Sequence, residues 1–407
     1  MNAEHDILVP VHLDASGGPV RDGAGVAALA DRGDGDVTAA PGRDISAFFA
    51  DDGIARQVLE GFDGVYADIV HYIIRCTHRI WEEAGIGLID SHYTHNCAIH
   101  TSDGGLFGRE RIVAMTARAL AAYPDIRLVG EDVVWSGDAK RGFHTSHRMV
   151  HVGTNLGWSA YGPPTSRPIR RRAIAHCVVL ENRIVEEWLA RDELAVVRAL
   201  GFDEFEAARV VGASEARARG GPVVGLAGDL RRQDGQLAAT PAERPDGMSD
   251  VEWLVVGGLQ RAWNERRLDL LDEVLAPDVA VQTSTDLRFD GIPDYRAWML
   301  RWLGAYSDLR ITFEHTMVNE RLGGTVVASR WRLEGTHDGP GPHGAPTGRR
   351  MRVLGLSHHL VQSGRVTGEW TVVDEFAVLK QLHTPDAALR PHVADADAAT
   401  ATVEVER

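Results

Sequence analysis

The sequence predicts an α+β fold that occurs twice in tandem, and two observations support this prediction. First, residues 163–200 and 345–382 align without a gap at a shift of 182 positions, and 14 of the 38 aligned residues are identical. Second, each copy begins with apolar residues at helical spacing and ends in a run of segments with strand-like alternation. Helices followed by a run of strands indicate helices on one face of an antiparallel sheet.

The repeated unit has the size of a domain rather than of a solenoid repeat. We expect a loosely ordered extension at 1–53, a first domain at 54–202, a connector at 203–249, a second domain at 250–383 and a flexible tail at 384–407. The connector is predicted from its polar, Gly- and Pro-rich composition, with a helix at its start.

The elements of the first copy follow from hydrophobic spacing and turn residues. Apolar side chains three or four apart from Val65 to Ile80 predict a helix, which Gly85 ends. A short strand is also expected at 7–13. The remaining predicted elements are helices at 88–93, 109–122 and 193–200, and strands at 96–101, 127–135, 142–152, 169–180 and 183–191. Asp192 and Asp374 precede the last helix of each copy and are expected to be N-caps.

Composition limits the compartment and the partners. The net charge of −15 argues against a nucleic-acid partner. The chain has three cysteines but no CxxC pair, no run of 18 apolar residues, and no basic segment followed by an apolar stretch at its N-terminus. These features predict a cytoplasmic protein without a membrane partner.

The sequence predicts neither a cofactor nor a metal site. It contains no phosphate-binding glycine loop, no HExxH motif and no GxSxG motif. Its histidines are not at i, i+4 spacing beside a carboxylate, so no metal is expected.

Two strings carry a family resemblance. The first copy has Pro163-Pro164-Thr165, a strand with basic residues, and then ENRIVEEWLARDELAVVRAL; the second has APTGRR and SGRVTGEWTVVDEFAVLKQL. Both copies resemble the SnoaL-like branch of the nuclear transport factor 2-like superfamily, which includes polyketide cyclases, epoxide hydrolases, dehydratases and isomerases. The resemblance implies two tandem cone-shaped α+β barrels, each a curved antiparallel sheet wrapped on helices around an apolar pocket. It also implies pairing through the outer face of the sheet.

The catalytic pair of that family is replaced in both copies. The family's aspartate on the last strand maps to Leu189 and, in the second copy, to Thr371. Its histidine on the preceding strand maps to Ala175 and Ser357. Any chemistry must therefore use other side chains.

His147 is the first candidate for a catalytic residue. Side chains alternate between the faces of a strand, so His147 shares a face with Phe143 and Met149. These apolar neighbours indicate that the face lines the cone, where a neutral imidazole could act as a general base. The alternative is a buried histidine that hydrogen-bonds a backbone carbonyl or a water. The second copy has Ser329 at this position.

Glu187 is the second candidate. It shares the inward face of the last strand with Leu189, and a carboxylate in an apolar pocket has a raised pKa and can act as acid or base. The alternative is a structural salt bridge to Arg170 or Arg172. Glu369 occupies the same position in the second copy.

The other candidates surround these two. The resemblance to cone-shaped folds implies that His100 faces the pocket mouth, and His100 and Tyr93 are expected there as acid or polarising partners. The second copy has Gln282 and Leu275 instead, so the fold does not require the first-copy residues. The alternative for Tyr93 is core packing. The predicted substrate-binding residues are His151, Arg191, Trp158 and Tyr161, the last two on an aromatic loop expected to cover the pocket.

The first copy carries most of these residues, so it is expected to be the working domain. The leading functional hypothesis is a cofactor-free lyase, isomerase or cyclase that acts by acid–base chemistry on a carbonyl-bearing metabolite. The alternative is a non-catalytic module for ligand binding or assembly. The second copy is expected to act as a pseudo-dimer partner, with Trp188 and Trp370 in the contact between sheets, and a homodimer remains a further option.

Overall fold

The computed structural model describes residues 9–12, 37–40, 57–219, 242–321 and 323–389. A two-stranded antiparallel sheet is formed by β1 (Val9–His12) and β2 (Val37–Ala40). The predicted strand at 7–13 is therefore present. The rest of the predicted extension, the later part of the connector and most of the tail lie outside the described residues.

The first domain has the predicted order of elements. Its helices are α1 (Ile69–Trp81), α2 (Leu88–His92), α3 (Arg109–Ala122) and α4 (Glu193–Leu200). Its strands are β3 (Tyr93–Thr101), β4 (Gly104–Phe107), β5 (Arg127–Asp138), β6 (Gly142–Thr154), β7 (Pro168–Leu180) and β8 (Arg183–Arg191). The Asp68 carboxylate accepts from the His71 N–H at 2.7 Å and so fixes the start of α1.

The second domain repeats this arrangement. A continuous helix α5 (Glu204–Arg219) precedes it, within the predicted connector. Its helices are α6 (Asp250–Glu252, continued by a π-helical turn Trp253–Gly257 and Gly258–Asn264), α7 (Leu271–Val274), α8 (Ile292–Ala305), α9 (Glu375–His383) and α10 (Asp386–Leu389). Its strands are β9 (Leu275–Gln282), β10 (Arg288–Asp290), β11 (Arg310–Arg321), β12 (Gly324–Thr336), β13 (Arg350–Gln362) and β14 (Arg365–Val373).

Each domain contains one six-stranded sheet. The orders are β4-β3-β8-β7-β6-β5 and β10-β9-β14-β13-β12-β11. The α+β class is confirmed, but two details of the expectation are wrong. The sheets are open rather than closed barrels, and the pairs β3–β8 and β14–β9 are parallel. The parallel pair arises because the chain leaves the sheet after β3 and β4 and returns through the long β5–β7 meander.

The outer faces of the two sheets pack against each other. The Arg148 guanidinium lies 4.0 Å from the centre of the Trp370 ring, and Arg330 lies 3.6 Å from Trp188. Arg148 and Arg330 are equivalent at the repeat shift, so the contact has pseudo-twofold symmetry. Both tryptophans thus lie outside the pockets, as their alternation with Glu187 predicts. Apolar contact comes from Val134, Met317, Val326, Ala328, Ile174, Ala190, Leu356 and Val372.

Helix α5 ties the second domain to the connector. The Lys380 ammonium on α9 is 3% exposed and binds Glu215 at 3.0 Å and Asp103 at 2.6 Å. Among the described residues, no helix is both long and apolar enough to cross a membrane.

Candidate functional site

The first domain encloses a cavity between its helices and the inner face of its sheet. The volume is about 70 Å³. Ile73 and Cys76 of α1 and Met115 of α3 form one wall. Five of the predicted site residues form much of the rest, namely Tyr93, His147, His151, Glu187 and Arg191. The strand alternation therefore assigned the inward face of β6 and β8 correctly.

Glu187 is a buried carboxylate with few partners. It lies opposite Cys177 on β7 and is 6% exposed. Among the described residues, its one hydrogen bond comes from the Tyr93 hydroxyl at 3.3 Å. Burial raises the pKa of Glu187 to about 7, although the Tyr93 hydrogen bond and the Arg191 charge act to lower it. The carboxyl group can therefore gain or lose a proton near neutral pH.

His147 is buried but is poorly matched to the role of a base. Its side chain is 3% exposed, and its Nε2 atom has no hydrogen-bond partner among the described residues. A Cβ at Gly130 would lie 3.0 Å from that Nε2, so the glycine leaves room for the ring. Burial, with a smaller contribution from His358, lowers the pKa of His147 to about 3. The imidazole is thus neutral at pH 7 and a weak proton acceptor.

Two arginines also line the cavity. Arg171 and Arg191 both face the cavity and share the Glu193 carboxylate, at 3.1 and 3.3 Å. Burial acts to raise the pKa of Glu193, but the two guanidinium groups lower it to about 2. Lys380 also acts on Glu193, and Asp374 and Asp103 act on Arg191, so further charges surround this cluster. His151 lies opposite Arg171, and burial lowers its pKa well below the usual value.

Arg171 and Glu193 were not among the predicted site residues. Arg170 and Arg172 were the predicted salt-bridge partners of Glu187, but they point outward and pair with Asp286 of the second domain at 3.1 and 3.2 Å. They do not contact Glu187. Alternation from Ala175, which lines the cavity, gives Arg171 as the inward arginine, and this signal was available in the sequence.

His100 does not lie at the pocket mouth, which corrects its predicted placement. Its ring stacks on Trp188 with 5.0 Å between centroids, and its Nε2 lies 2.8 Å from Glu186. The parallel pairing of β3 with β8 sets His100 opposite Trp188, so both side chains are on the outer face. Parallel pairing was not anticipated.

The aromatic loop does not cover the cavity either. Trp158 is 74% exposed, and neither it nor Tyr161 lines the cavity. The Tyr161 hydroxyl donates to Glu193 at 2.6 Å, and its ring packs on Phe376 of α9 at 5.4 Å. Tyr161 is thus a domain contact that also holds Glu193. The predicted lid is wrong because the loop folds toward the second domain.

The second domain has a smaller cavity of about 20 Å³. Phe313 stands where the first domain has Gly130, and Trp331 stands where it has Met149, so larger side chains fill the space. Both line the cavity, together with Glu369.

The Glu369 carboxylate accepts more hydrogen bonds than the Glu187 carboxylate does. Tyr295 donates to it at 3.0 Å and Thr371 at 2.6 Å, and the His359 Nε2 lies 3.6 Å away. Burial acts to raise the pKa of Glu369, but His359 and the two hydroxyl donors lower it below the usual value. The two copies therefore hold the same carboxylate in opposite environments.

One protein-family model matches both halves of the chain. The family model described as SnoaL-like polyketide cyclase matches residues 71–200 and 254–382, which together exceed half of the chain. A search of curated proteins gave no match.

Single-domain structures are similar to one copy at a time. A candidate SnoaL-like polyketide cyclase from Jannaschia sp. CCS1 is 21% identical, covering 35% of this chain and 99% of its own, with a TM-score of 0.30. IdmH from Streptomyces antibioticus is 24% identical, covering 33% and 99%, with a TM-score of 0.29. A protein with a ketosteroid isomerase-like fold from Catenulispora acidiphila DSM 44928, solved with trimethylamine, is 16% identical, covering 32% and 94%, with a TM-score of 0.27.

Proposed function

Because the chain belongs to the SnoaL-like polyketide cyclase family, we propose that its first domain is a cofactor-free acid–base enzyme acting on a carbonyl compound. The reaction class is isomerisation, cyclisation or a related lyase step. Glu187 is the group that moves the proton. This assignment replaces His147 as the base, because a general base works best when its pKa is near the operating pH.

One observation carries the proposal, namely the difference between Glu187 and Glu369. A carboxylate that serves only the fold is surrounded by donors, as Glu369 is by Tyr295 and Thr371. Glu187 has a single long hydrogen bond and faces a larger cavity. A pair of equivalent carboxyl groups in opposite environments is the pattern expected when one of them does acid–base work.

The two positions at which the family has its catalytic aspartate and histidine face this cavity, but the side chains found there in this chain cannot act as an acid or a base. Ala175 and Leu189 both line it. Glu187 lies two residues before Leu189 on the same face of β8, so it presents a carboxyl group to the same space.

The proposed step is a proton transfer next to a carbonyl group. The Glu187 carboxylate removes a proton from the α-carbon, which leaves a protonated Glu187 and an enolate. In isomerisation, Glu187 returns that proton to a different carbon. In cyclisation, the enolate carbon attacks a second carbonyl, and the proton goes to the new alkoxide oxygen. The Arg171 and Arg191 guanidinium groups, which line the cavity, favour the negative charge that develops on oxygen.

The remaining polar groups orient the substrate. Burial raises the pKa of Tyr93 well above its usual value, so its hydroxyl stays protonated and available as a donor. The neutral His147 offers a hydrogen bond without adding charge.

The second domain serves as the fixed partner of the first. A reducing cytoplasm suits the chain, since Cys76, Cys97 and Cys177 are all buried and free.

Deuterium exchange tests the proposal without knowledge of the product. The full chain is incubated in D₂O with a panel of ketones, β-keto esters and 1,3-diketones, and α-deuteration is followed by mass spectrometry. Wild type should accelerate exchange for at least one compound. Glu187→Gln should reduce that rate by about 10²–10⁴-fold, whereas Glu369→Gln should leave it nearly unchanged.

Two results would count against the proposal. One is equal exchange by wild type and Glu187→Gln. The other is saturable binding of a panel compound with no exchange above the solvent rate, which would favour a binding module.

A further inference from the structure

Three histidines meet where the two sheets pack together. His144 is on β6, His176 is on β7, and His315 is on β11 of the second domain. One ring nitrogen from each lies within 4.8 Å of the other two. This cluster could not be predicted from the sequence, because only strand pairing and domain packing bring the three residues together.

Two of the ligand atoms are already at the spacing that a metal ion requires. The distance from His144 Nδ1 to His176 Nε2 is 3.4 Å. Zinc binds imidazole nitrogen at about 2.0–2.1 Å in a tetrahedral arrangement, which places two ligand nitrogens about 3.3–3.4 Å apart. His315 stacks on His144, and its nitrogen lies within 4.8 Å of the other two, so a movement of at most about 1.4 Å brings it to the same spacing.

On the opposite side of the pseudo-twofold axis, the equivalent polar side chains are hydrogen-bonded to one another. There, His358 replaces His176 and Asp132 replaces His315. The His358 Nε2 contacts the Ser146 hydroxyl at 2.9 Å, and its Nδ1 lies 3.3 Å from Asp132. Asp132 also binds Arg321 at 3.0 Å. Polar groups on that side satisfy one another.

The side with the three histidines has fewer hydrogen bonds between its polar side chains. The Nδ1 of His315 is buried and has no hydrogen-bond partner among the described residues. His176 is 1% exposed. Among the described residues, the 3.4 Å contact between His144 Nδ1 and His176 Nε2 is the one hydrogen bond made by the three rings.

Nearby charges do not prevent cation binding. Arg330 is a positive group beside the cluster, because it lies opposite His315 on the neighbouring strand. Its guanidinium is paired with Glu314 at 3.3 Å and stacks on Trp188. Glu186 and Glu252 contribute negative charge, because they act to raise the pKa of His144 and His315 respectively.

We propose that His144, His176 and His315 bind one zinc ion that links the two domains. Three imidazole ligands leave a fourth position, and the partly exposed His144 and His315 give water access to it. Because two ligands come from the first domain and one from the second, the ion stabilises the domain contact. The proposal does not depend on the assignment of Glu187.

Zinc titration of the metal-free full chain tests this. The protein is dialysed against a chelator and titrated with Zn²⁺ by calorimetry, and binding of Co²⁺ is followed by its visible absorption, which reports four-coordinate geometry. Wild type should bind one ion per chain, and saturating Zn²⁺ should raise the melting temperature.

Variants identify the ligands. His144→Phe and His315→Phe keep an aromatic ring in the stack but remove the ligand nitrogen, so each should weaken zinc binding by at least about tenfold. His358→Ala, on the opposite side, should keep the 1:1 site. Wild type without a stoichiometric site, or Phe variants that bind Zn²⁺ as wild type does, would overturn the proposal. If a Phe variant fails to melt cooperatively, the cobalt spectrum of wild type is the deciding measurement. A four-coordinate spectrum at one ion per chain would support the site, and the absence of such a spectrum would overturn the proposal.

Discussion

Glu187 and Glu369 show at the scale of single residues how surroundings change the behaviour of one side chain. They occupy equivalent positions, but burial raises the pKa of Glu187 to about 7, while Tyr295, Thr371 and His359 hold that of Glu369 below the usual value. Each shift makes the stability of the fold depend on pH, and the two dependences have opposite signs.

For Glu187, the folded state binds more protons than the unfolded state between about pH 4.5 and 7. Its contribution to stability is present below the unfolded pKa and is lost as the pH rises through the folded pKa. Glu187→Gln imitates the protonated form at every pH. From pH 5 to 8, the unfolding free energy of the variant should therefore improve relative to wild type by about 2.5 kcal/mol. Denaturant unfolding at several pH values measures this difference.

Glu369→Gln is the matched control with the opposite sign. A lowered pKa contributes stability above the unfolded pKa, and this is lost as the pH falls through the folded pKa. The variant should be less stable than wild type at neutral pH, with a deficit that shrinks in acid. Parallel profiles for the two variants would mean that the two carboxyl groups have similar environments.

Most of the first-domain cavity could be predicted from the sequence. Strand alternation placed His147, His151, Glu187 and Arg191 inward without any structure. It could not give the relative proton affinities of Glu187 and His147, because these depend on three-dimensional burial and on which donors reach each group. The three-histidine cluster was equally inaccessible, since it spans two domains.

At the scale of elements, several helices and strands begin and end at the glycine, proline and turn residues of the sequence. Helix α3 and strand β8 begin and end where they were predicted, because Gly108, Pro124 and the turn at Glu181-Asn182 interrupt the pattern. The parallel pair β3–β8 was missed, because pairing direction depends on how the chain returns to the sheet rather than on local sequence.

The cap of helix α4 provides an element-scale prediction. Asp192 accepts from the Ala195 N–H at 3.2 Å and from the Thr285 N–H of the second domain at 2.6 Å. Asp192→Ala removes a helix cap and leaves a cross-domain N–H without its acceptor, so it should lower the unfolding free energy by about 2–3 kcal/mol. Asp374→Ala removes the matching cap at Ala377 and should cost about 1 kcal/mol. Equal costs would mean that the Thr285 contact adds nothing.

At the scale of the whole molecule, the repeat accounts for both the internal pairing and its asymmetry. The contacts of Arg148 with Trp370 and of Arg330 with Trp188 involve equivalent residues of the two copies. The polar groups beside them differ between the two sides. The two copies therefore share these packing contacts but differ in their pockets and in their polar contacts.

The domain contact predicts cooperative unfolding of both domains. Arg148→Met keeps the aliphatic stem but removes the cation from the Trp370 ring, so it should lower the unfolding free energy by about 1–2 kcal/mol. Wild type should melt in a single calorimetric transition. Two separate transitions in wild type, or an unchanged stability for Arg148→Met, would mean that the sheets are only loosely paired.

The proton affinity of Glu187 is the central claim, and a direct titration tests it. Glutamate labelled with ¹³C at the side-chain carboxyl is incorporated into the full chain, and the carboxyl signals are followed by NMR from pH 4 to 9. The signal that disappears in Glu187→Gln is assigned to Glu187. It should titrate near pH 7, while the signal lost in Glu369→Gln should titrate below pH 4.5. A Glu187 signal that titrates at or below pH 4.5 would contradict its role as the acid–base group of the cavity.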